Sequence, residues 1–180
     1  MHFLIVGLGN PGKQYEQTRH NLGFRVLDLL AGPEGWENKY DSLFLKTDEV
    51  ILAKPQLFMN LSGKSINQIL KFYPAAQLVV VHDDLDFPLG TIRIQKNVSA
   101  AGHNGVDSII TELGTKDFIR IRLGIDNSET RGQLQGDDYV LQKFTVQEEK
   151  IVNEVLLRAK DAVETLMTEG LDMAQSKFNG

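Results

Sequence analysis

The chain has 180 residues, 42% hydrophobic and 24% charged, the balance of an ordinary globular protein long enough to bury a sizeable core. Its net charge of −5 excludes a protein that is basic as a whole, though not a local basic patch. With no cysteine, disulfides, thiol nucleophiles and thiolate metal sites are excluded, which suits a reducing cytoplasm. No apolar run approaches the roughly 18 residues of a membrane span. The N-terminal MHFLIVGLGNPG has no basic region ahead of its apolar run and reaches glycine too soon to read as a signal peptide.

Over residues 1–145, apolar runs alternate with helical patterns and turn signals, the signature of an α/β domain. Residues 3–7 (FLIVG) are too short for a helix and end in glycine, which predicts a central strand. The spacing of Leu22, Val26, Leu29 and Leu30 predicts a helix over 21–31, stopped by Gly32 and Pro33. Residues 43–47 and 50–54 read as two short strands in a hairpin, with Pro55 breaking the second. Ile66, Ile69, Leu70 and Tyr73 share one face of a helix over 62–73, with Ser62 as its N-cap. Residues 78–82, with three consecutive valines, form an apolar strand, and 91–95 alternate as a half-exposed strand does. A helix over 106–113 is closed by Gly114. Over 118–125, Ile119, Ile121 and Leu123 alternate with Arg120 and Arg122. Residues 126–138, rich in Gly, Ser, Asn and Asp, read as a loop. Over 146–167, a stripe from Ile151 and Val152 through Val155, Leu156, Ala159 and Val163 to Leu166 predicts a long amphipathic helix against the sheet. The tail from Leu171 reads as a short helix that frays.

Gly7-Leu8-Gly9-Asn10-Pro11-Gly12 follows the first strand and matches the G-x-G-x-x-G of dinucleotide sites. Two features count against a nicotinamide or flavin. No helix opens directly after the loop, and Asp28 falls on a helix instead of ending a second strand. The glycines then serve a tight turn, which leaves Asn10 presenting an amide at the C-terminal end of a strand, where open α/β sheets bind ligands. His20, His82 and His103 each fall at the end of an element. His82-Asp83-Asp84-Leu85-Asp86 offers carboxylates to a hard cation, but no H-E-x-x-H completes a metallohydrolase. No G-x-S-x-G or S-x-x-K supports a serine nucleophile. A histidine, an aspartate and the amides of Asn10, Asn60 and Asn104 suit direct attack by water, with histidine as general base and aspartate orienting it. An RNA-binding protein without activity, a nicotinamide-dependent reductase and a metal-dependent phosphohydrolase at Asp83, Asp84 and Asp86 stand as alternatives.

The motifs together resemble the bacterial-type peptidyl-tRNA hydrolases over essentially the whole chain. They are Gly7–Gly12, Tyr15 with Thr18-Arg19-His20-Asn21-Leu22-Gly23, Lys54-Pro55, and Phe58-Met59-Asn60-Leu61-Ser62-Gly63. His82–Asp86, Gly102-His103-Asn104-Gly105, Arg122-Leu123-Gly124-Ile125, Asp138-Tyr139-Val140-Leu141 and Phe144 complete the series. Each is weak alone; all of them in this order are specific. The resemblance implies one domain over 1–180, a mixed, mostly parallel twisted sheet flanked by helices, acting as a cytoplasmic monomer with no obligate protein partner. It implies hydrolysis of the ester between a peptide and the 3′ ribose of tRNA, with no metal or organic cofactor and no covalent intermediate. It assigns His20 as the base that activates water, Asp83 as the group that stabilises and orients it, and Asn10 as a discriminator between N-blocked peptidyl-tRNA and free aminoacyl-tRNA. Tyr15, Phe58, Asn60 and Asn104 contact the peptidyl-adenosine end, Met59 lines the same channel, and His103 supports the site. Gln95 stands where the family commonly has a basic residue, Val98 and Ala101 where it has glycine, and Asp126 replaces a common glycine.

Phosphate contacts need local positive charge rather than a basic whole. Arg93, Lys96, Arg120, Arg122 and Lys143 gather in the middle of the chain, and Lys13 and Arg19 flank the proposed site. Arg93 and Lys96 are the expected contacts to the tRNA acceptor stem.

Overall fold

The apolar runs pair into one sheet in the computed structural model, which describes residues 2–180. Its strands are β1 (Phe3–Gly7), β2 (Glu37–Lys39), β3 (Ser42–Lys46), β4 (Val50–Pro55), β5 (Gln77–Pro88), β6 (Ile92–Lys96) and β7 (Ile119–Asp126), in the order β2-β3-β4-β1-β5-β7-β6. Neighbours β4-β1, β1-β5 and β5-β7 are parallel; β3 opposes β2 and β4, and β6 opposes β7. Five strands therefore run one way, and the sheet is mixed and mostly parallel.

Helices cover both faces, as strands apolar on both sides require. Along β1, Ile5 faces one core cluster and Leu4 and Val6 face the other. The first cluster takes α1 (Leu22–Ala31), α6 (Val146–Glu169) and α7 (Leu171–Phe178). The second takes α2 (Ser62–Phe72) and α3 (Asn104–Leu113). Gly7 and Gly23 let α1 lie directly on the sheet: a Cβ at Gly23 would stand 2.4 Å from the Leu8 N and the Val81 O. Gly7 and Gly9 are thus spent on packing against α1, and the Asn21 side chain at the start of that helix is taken up by the Asn10 N–H and carbonyl, so the loop and helix close on each other where a dinucleotide site leaves room for a pyrophosphate.

Several expectations need correction. The α1 stripe is Leu22, Val26, Leu27 and Ala31, whereas Leu29 is exposed, as is Ile151 in α6. Ser62 is the first helical residue of α2, and its hydroxyl donates to the Met59 carbonyl at 2.8 Å instead of capping. The valine strand does not stop at His82. It continues to Pro88, so His82 lies inside β5. Arg120 and Arg122, which the sequence groups with the cations available to phosphate, are buried. The 126–138 segment folds into α4 (Ser128–Arg131) and the start of α5 (Gly136–Val140), because Asn127 caps α4 through its side chain. The tail does not fray: Ala174 is buried, and Gly180 and Asn179 pair with Ile92 and Ile94 of β6.

Candidate active site

At the C-terminal ends of the parallel strands, β5 delivers Asp83, a 3₁₀ turn over Arg19–Asn21 delivers His20, and the N-terminus of α3 delivers His103 and Asn104. Alternation along β5 separates the neighbouring carboxylates. Asp83 meets the two histidines, while Asp84 turns to Arg122 at 2.6 Å. The Asp83-Asp84-Asp86 run is therefore not a convergent set of cation ligands.

The His20 Nδ1 lies 2.9 Å from both Asp83 oxygens, and the His103 Nε2 lies 3.0 Å from Asp83 Oδ1. His103 also caps α3: its Nδ1 accepts from the Gly105 and Val106 N–H groups at 3.1 and 3.3 Å. That fixes its tautomer. Nδ1 is a lone-pair acceptor, so Nε2 carries the proton and donates it to Asp83. His20 likewise donates from Nδ1 to the same carboxylate, which leaves its Nε2 as the basic nitrogen.

Charge follows geometry. Burial pushes the Asp83 carboxyl up, but the two histidines and their hydrogen bonds outweigh it and hold Asp83 well below the usual carboxylate range. Burial opposes a charged His20, yet the Asp83 charge, its hydrogen bond and Asp137 together raise the His20 pKa above its ordinary value. His82, fully buried beside His103 and Arg120, is pushed well below its ordinary value and stays neutral, its Nδ1 donating to the Asp83 carbonyl at 2.7 Å. His20, Asp83 and His103 also bring three ligand atoms within 4.8 Å of one another, the spacing of a metal site. Both ring nitrogens facing the carboxylate carry protons in this network, and His103 cannot surrender its proton to coordinate a metal without losing its cap on α3. The donor set does not fit a resident metal.

Two cavities meet at His20. One, of about 490 Å³, is lined by Asn10, His20, Phe58, Met59, Asn60, Asn104, Asp137, Val140 and Leu141. The other, of about 250 Å³, runs past Asp83, Asp84, Asp86, His103, Asn104, Arg131 and Asp137. Asn10 is held firmly: the Asn21 side chain accepts from its N–H and donates to its carbonyl, both at 2.9 Å, and its Oδ1 accepts from the Met59 N–H at 2.9 Å. The Asn10 amide is thereby oriented with Nδ2 as a donor that has no partner among the described residues.

His20, Asp83, Asn10, Met59, Asn60, His103, Asn104 and exposed Phe58 are thus brought together. Tyr15 lines neither cavity; its carbonyl receives the Thr18 hydroxyl at 2.8 Å. Arg93 sits level with His82 across the sheet, its guanidinium 5.7 Å from the Phe87 ring. Lys96 lies opposite Ile119, at the other end of the sheet, and pairs with Asp117 at 3.2 Å. Arg19 and Arg122 are buried in ion pairs with Glu148 and Asp84, so neither is a free cation for phosphate. Gln95 accepts from Arg122 at 2.5 Å, and Ala101 holds a left-handed φ of 50° beside Gly102 at 80°. Sequence reasoning missed the site roles of Asn21, Asp137 and Val140. The Thr18–Gly23 motif contained the signal for Asn21, and the loop-like composition of 126–138 hid Asp137.

A family model described as peptidyl-tRNA hydrolase matches residues 4–180. The chain is 44% identical over 186 residues to a peptidyl-tRNA hydrolase of Dehalococcoides mccartyi, covering 98% of each. It is 44% identical over 187 residues to that of Caldanaerobacter subterraneus subsp. tengcongensis, covering 99% of this chain and 100% of the relative. The crystal structure of peptidyl-tRNA hydrolase from Acinetobacter baumannii at 1.00 Å matches with a TM-score of 0.85 at 31% identity, over 98% of this chain and 95% of that one.

Proposed function

The chain belongs to the peptidyl-tRNA hydrolase family, and from that premise we propose how its own residues hydrolyse peptidyl-tRNA. A water hydrogen-bonded to the His20 Nε2 attacks the ester carbonyl, and His20 takes its proton. The ionised Asp83 holds the ring in the Nδ1–H tautomer and stabilises the imidazolium as it forms. Side-chain amides of Asn10, Asn60 and Asn104 donate to the carbonyl oxygen and the peptide backbone. As the tetrahedral intermediate collapses, His20 returns the proton to the departing 3′ ribose oxygen. The products are a peptide carboxylate and tRNA with its hydroxyl restored, with no covalent enzyme intermediate. The observation that carries this reading is the 2.9 Å contact between His20 Nδ1 and Asp83 at the junction of the two cavities.

Phe58, Met59, Val140 and Leu141 give the larger cavity apolar walls between its amides, suited to a peptide chain and a terminal base. Asn10 selects the N-blocked substrate and Tyr15 contacts the adenosine end. Arg93 is the better-placed acceptor-stem contact, with Lys96 further along the same strand. The protein acts as a cytoplasmic monomer and a single domain. No described helix is long and apolar enough to cross a membrane.

The test is release of N-acetylaminoacyl groups from tRNA, compared with free aminoacyl-tRNA, with and without a chelator. Turnover confined to the blocked substrate and insensitive to chelator agrees with the reading. Turnover abolished by the chelator would assign the water to a metal and overturn it.

A further inference from the structure

The residue before the base is an arginine that the reaction does not use. Arg19 is 2% exposed, and its guanidinium makes a two-pronged contact with Glu148, Nη1 to Oε1 at 3.2 Å and Nη2 to Oε2 at 2.9 Å. The rings of Tyr139 and Phe144 lie 4.2 and 4.6 Å from it. Glu148 is equally buried and accepts three more hydrogen bonds: Asn127 Nδ2 at 3.0 Å, the Thr130 hydroxyl at 2.7 Å and the Thr145 N–H at 2.8 Å. The main chain follows the same route, with the Arg19 N–H donating to the Gln142 carbonyl at 3.0 Å and Thr18 bridging Lys143.

Stability alone does not account for this pair. Burying two charges costs several kcal/mol per ion, and replacing such a pair with apolar residues of similar volume is often neutral or stabilising. The Arg19 Nε also has no hydrogen-bond partner among the described residues, a further cost of about 1–3 kcal/mol. What the pair supplies is geometry. A planar fork on a carboxylate fixes both distance and plane, and this one joins the turn bearing His20 to α4, to the Tyr139–Phe144 strip and to the start of α6. That strip and α5 carry Asp137 and Val140 into both cavities.

We infer that Arg19 and Glu148 are positioning residues, which hold the His20 ring against Asp83 and hold the wall of the cavity at a fixed distance from it. The inference rests on His20 being the base. A general base displaced by about 1 Å loses roughly 10²-fold, so the pair affects kcat rather than KM.

The test is the double substitution Arg19→Met with Glu148→Leu, which removes both charges and leaves neither unpaired. It also orphans the Asn127, Thr130 and Thr145 donors to Glu148, so its thermal midpoint should fall, and kcat is read at a temperature where circular dichroism shows it folded. Its kcat should fall by about 10- to 100-fold with KM within about twofold, and its acid limb should move to lower pH as the contact with Asp83 loosens. Glu148→Gln, assayed at a temperature where circular dichroism shows it folded, should lose kcat in the same way and melt lower because Arg19 is left unpaired. A folded variant of either kind with wild-type kcat and pH profile overturns the inference. His20→Ala, run in parallel, separates the two levels. Turnover surviving in His20→Ala removes the base itself and the positioning role with it. Turnover lost there but intact in a folded pair variant removes the positioning role alone.

Discussion

Replacing Asp83 by asparagine removes one charge and keeps the size of the side chain. The carboxylate accepts from His20 through both oxygens and from His103 through Oδ1. Asparagine offers one oxygen for these donors and turns an N–H toward the other position. An N–H facing His20 Nδ1 favours the tautomer with the proton on Nε2, the nitrogen that must accept from water. The mutant therefore loses the basic nitrogen and the stabiliser of the imidazolium together, which corresponds to about 10²–10⁴ in kcat. The pH dependence follows from the sign of the shift. In the wild type, Asp83 raises the His20 pKa above the ordinary 6.5 despite burial, so activity rises with pH through a limb centred above that value. In Asp83→Asn burial is opposed only by the more distant Asp137 charge, so the His20 pKa falls and the acid limb moves to lower pH while the plateau drops. Steady-state kcat/KM for N-acetylaminoacyl-tRNA between about pH 5 and pH 8, the range in which histidine titrates, reads both effects. A plateau within threefold of wild type with an unmoved limb would refute the coupling.

Two further substitutions probe the surroundings. His103→Asn keeps a side chain able to cap α3 but loses the donor to Asp83. The cap is kept, but losing a hydrogen bond to the buried Asp83 charge should cost about 1.5–3 kcal/mol of stability, and in the folded variant kcat should fall about tenfold, the equivalent of ~1.4 kcal/mol. The acid limb should move to higher pH, because Asp83 then serves His20 alone; a movement to lower pH would contradict the tautomer assigned to His103. Gly23→Ala places a Cβ 2.4 Å from backbone atoms of Leu8 and Val81. It should cost about 2–3 kcal/mol, a drop of roughly 5–10 °C in Tm for a chain of this size. A wild-type melt would show that α1 can slide on the sheet at little cost.

Much of this architecture was legible in periodicity. β1 and the C-terminal ends of α1 and α3 fall where apolar spacing and glycine stops put them. Strand order was not legible, because nothing local says that β1 sits between β4 and β5. β2 is three exposed polar residues with no alternation to detect. The second half of β5 looked like a loop because its residues are polar, and it is a strand because His20, His103 and Arg122, all distant in sequence, satisfy Asp83 and Asp84 there. The burial of Arg120 and Arg122 was hidden for the same reason: it depends on the Ser99 carbonyl and on Asp84. The catalytic candidates were found through motif order. Their supports, Asn21 beneath Asn10 and Glu148 behind Arg19, act across 11 and 129 residues of sequence and become visible only once the chain is folded.

The central claim is that His20 accepts the proton of the attacking water. Single-turnover hydrolysis of N-acetylaminoacyl-tRNA by His20→Ala, with tRNA affinity measured on the same preparation, tests it most directly. The account predicts a rate at least ~10²-fold lower with the dissociation constant for tRNA unchanged within about twofold. A folded His20→Ala protein that retains a rate within threefold of wild type would show that another group activates the water.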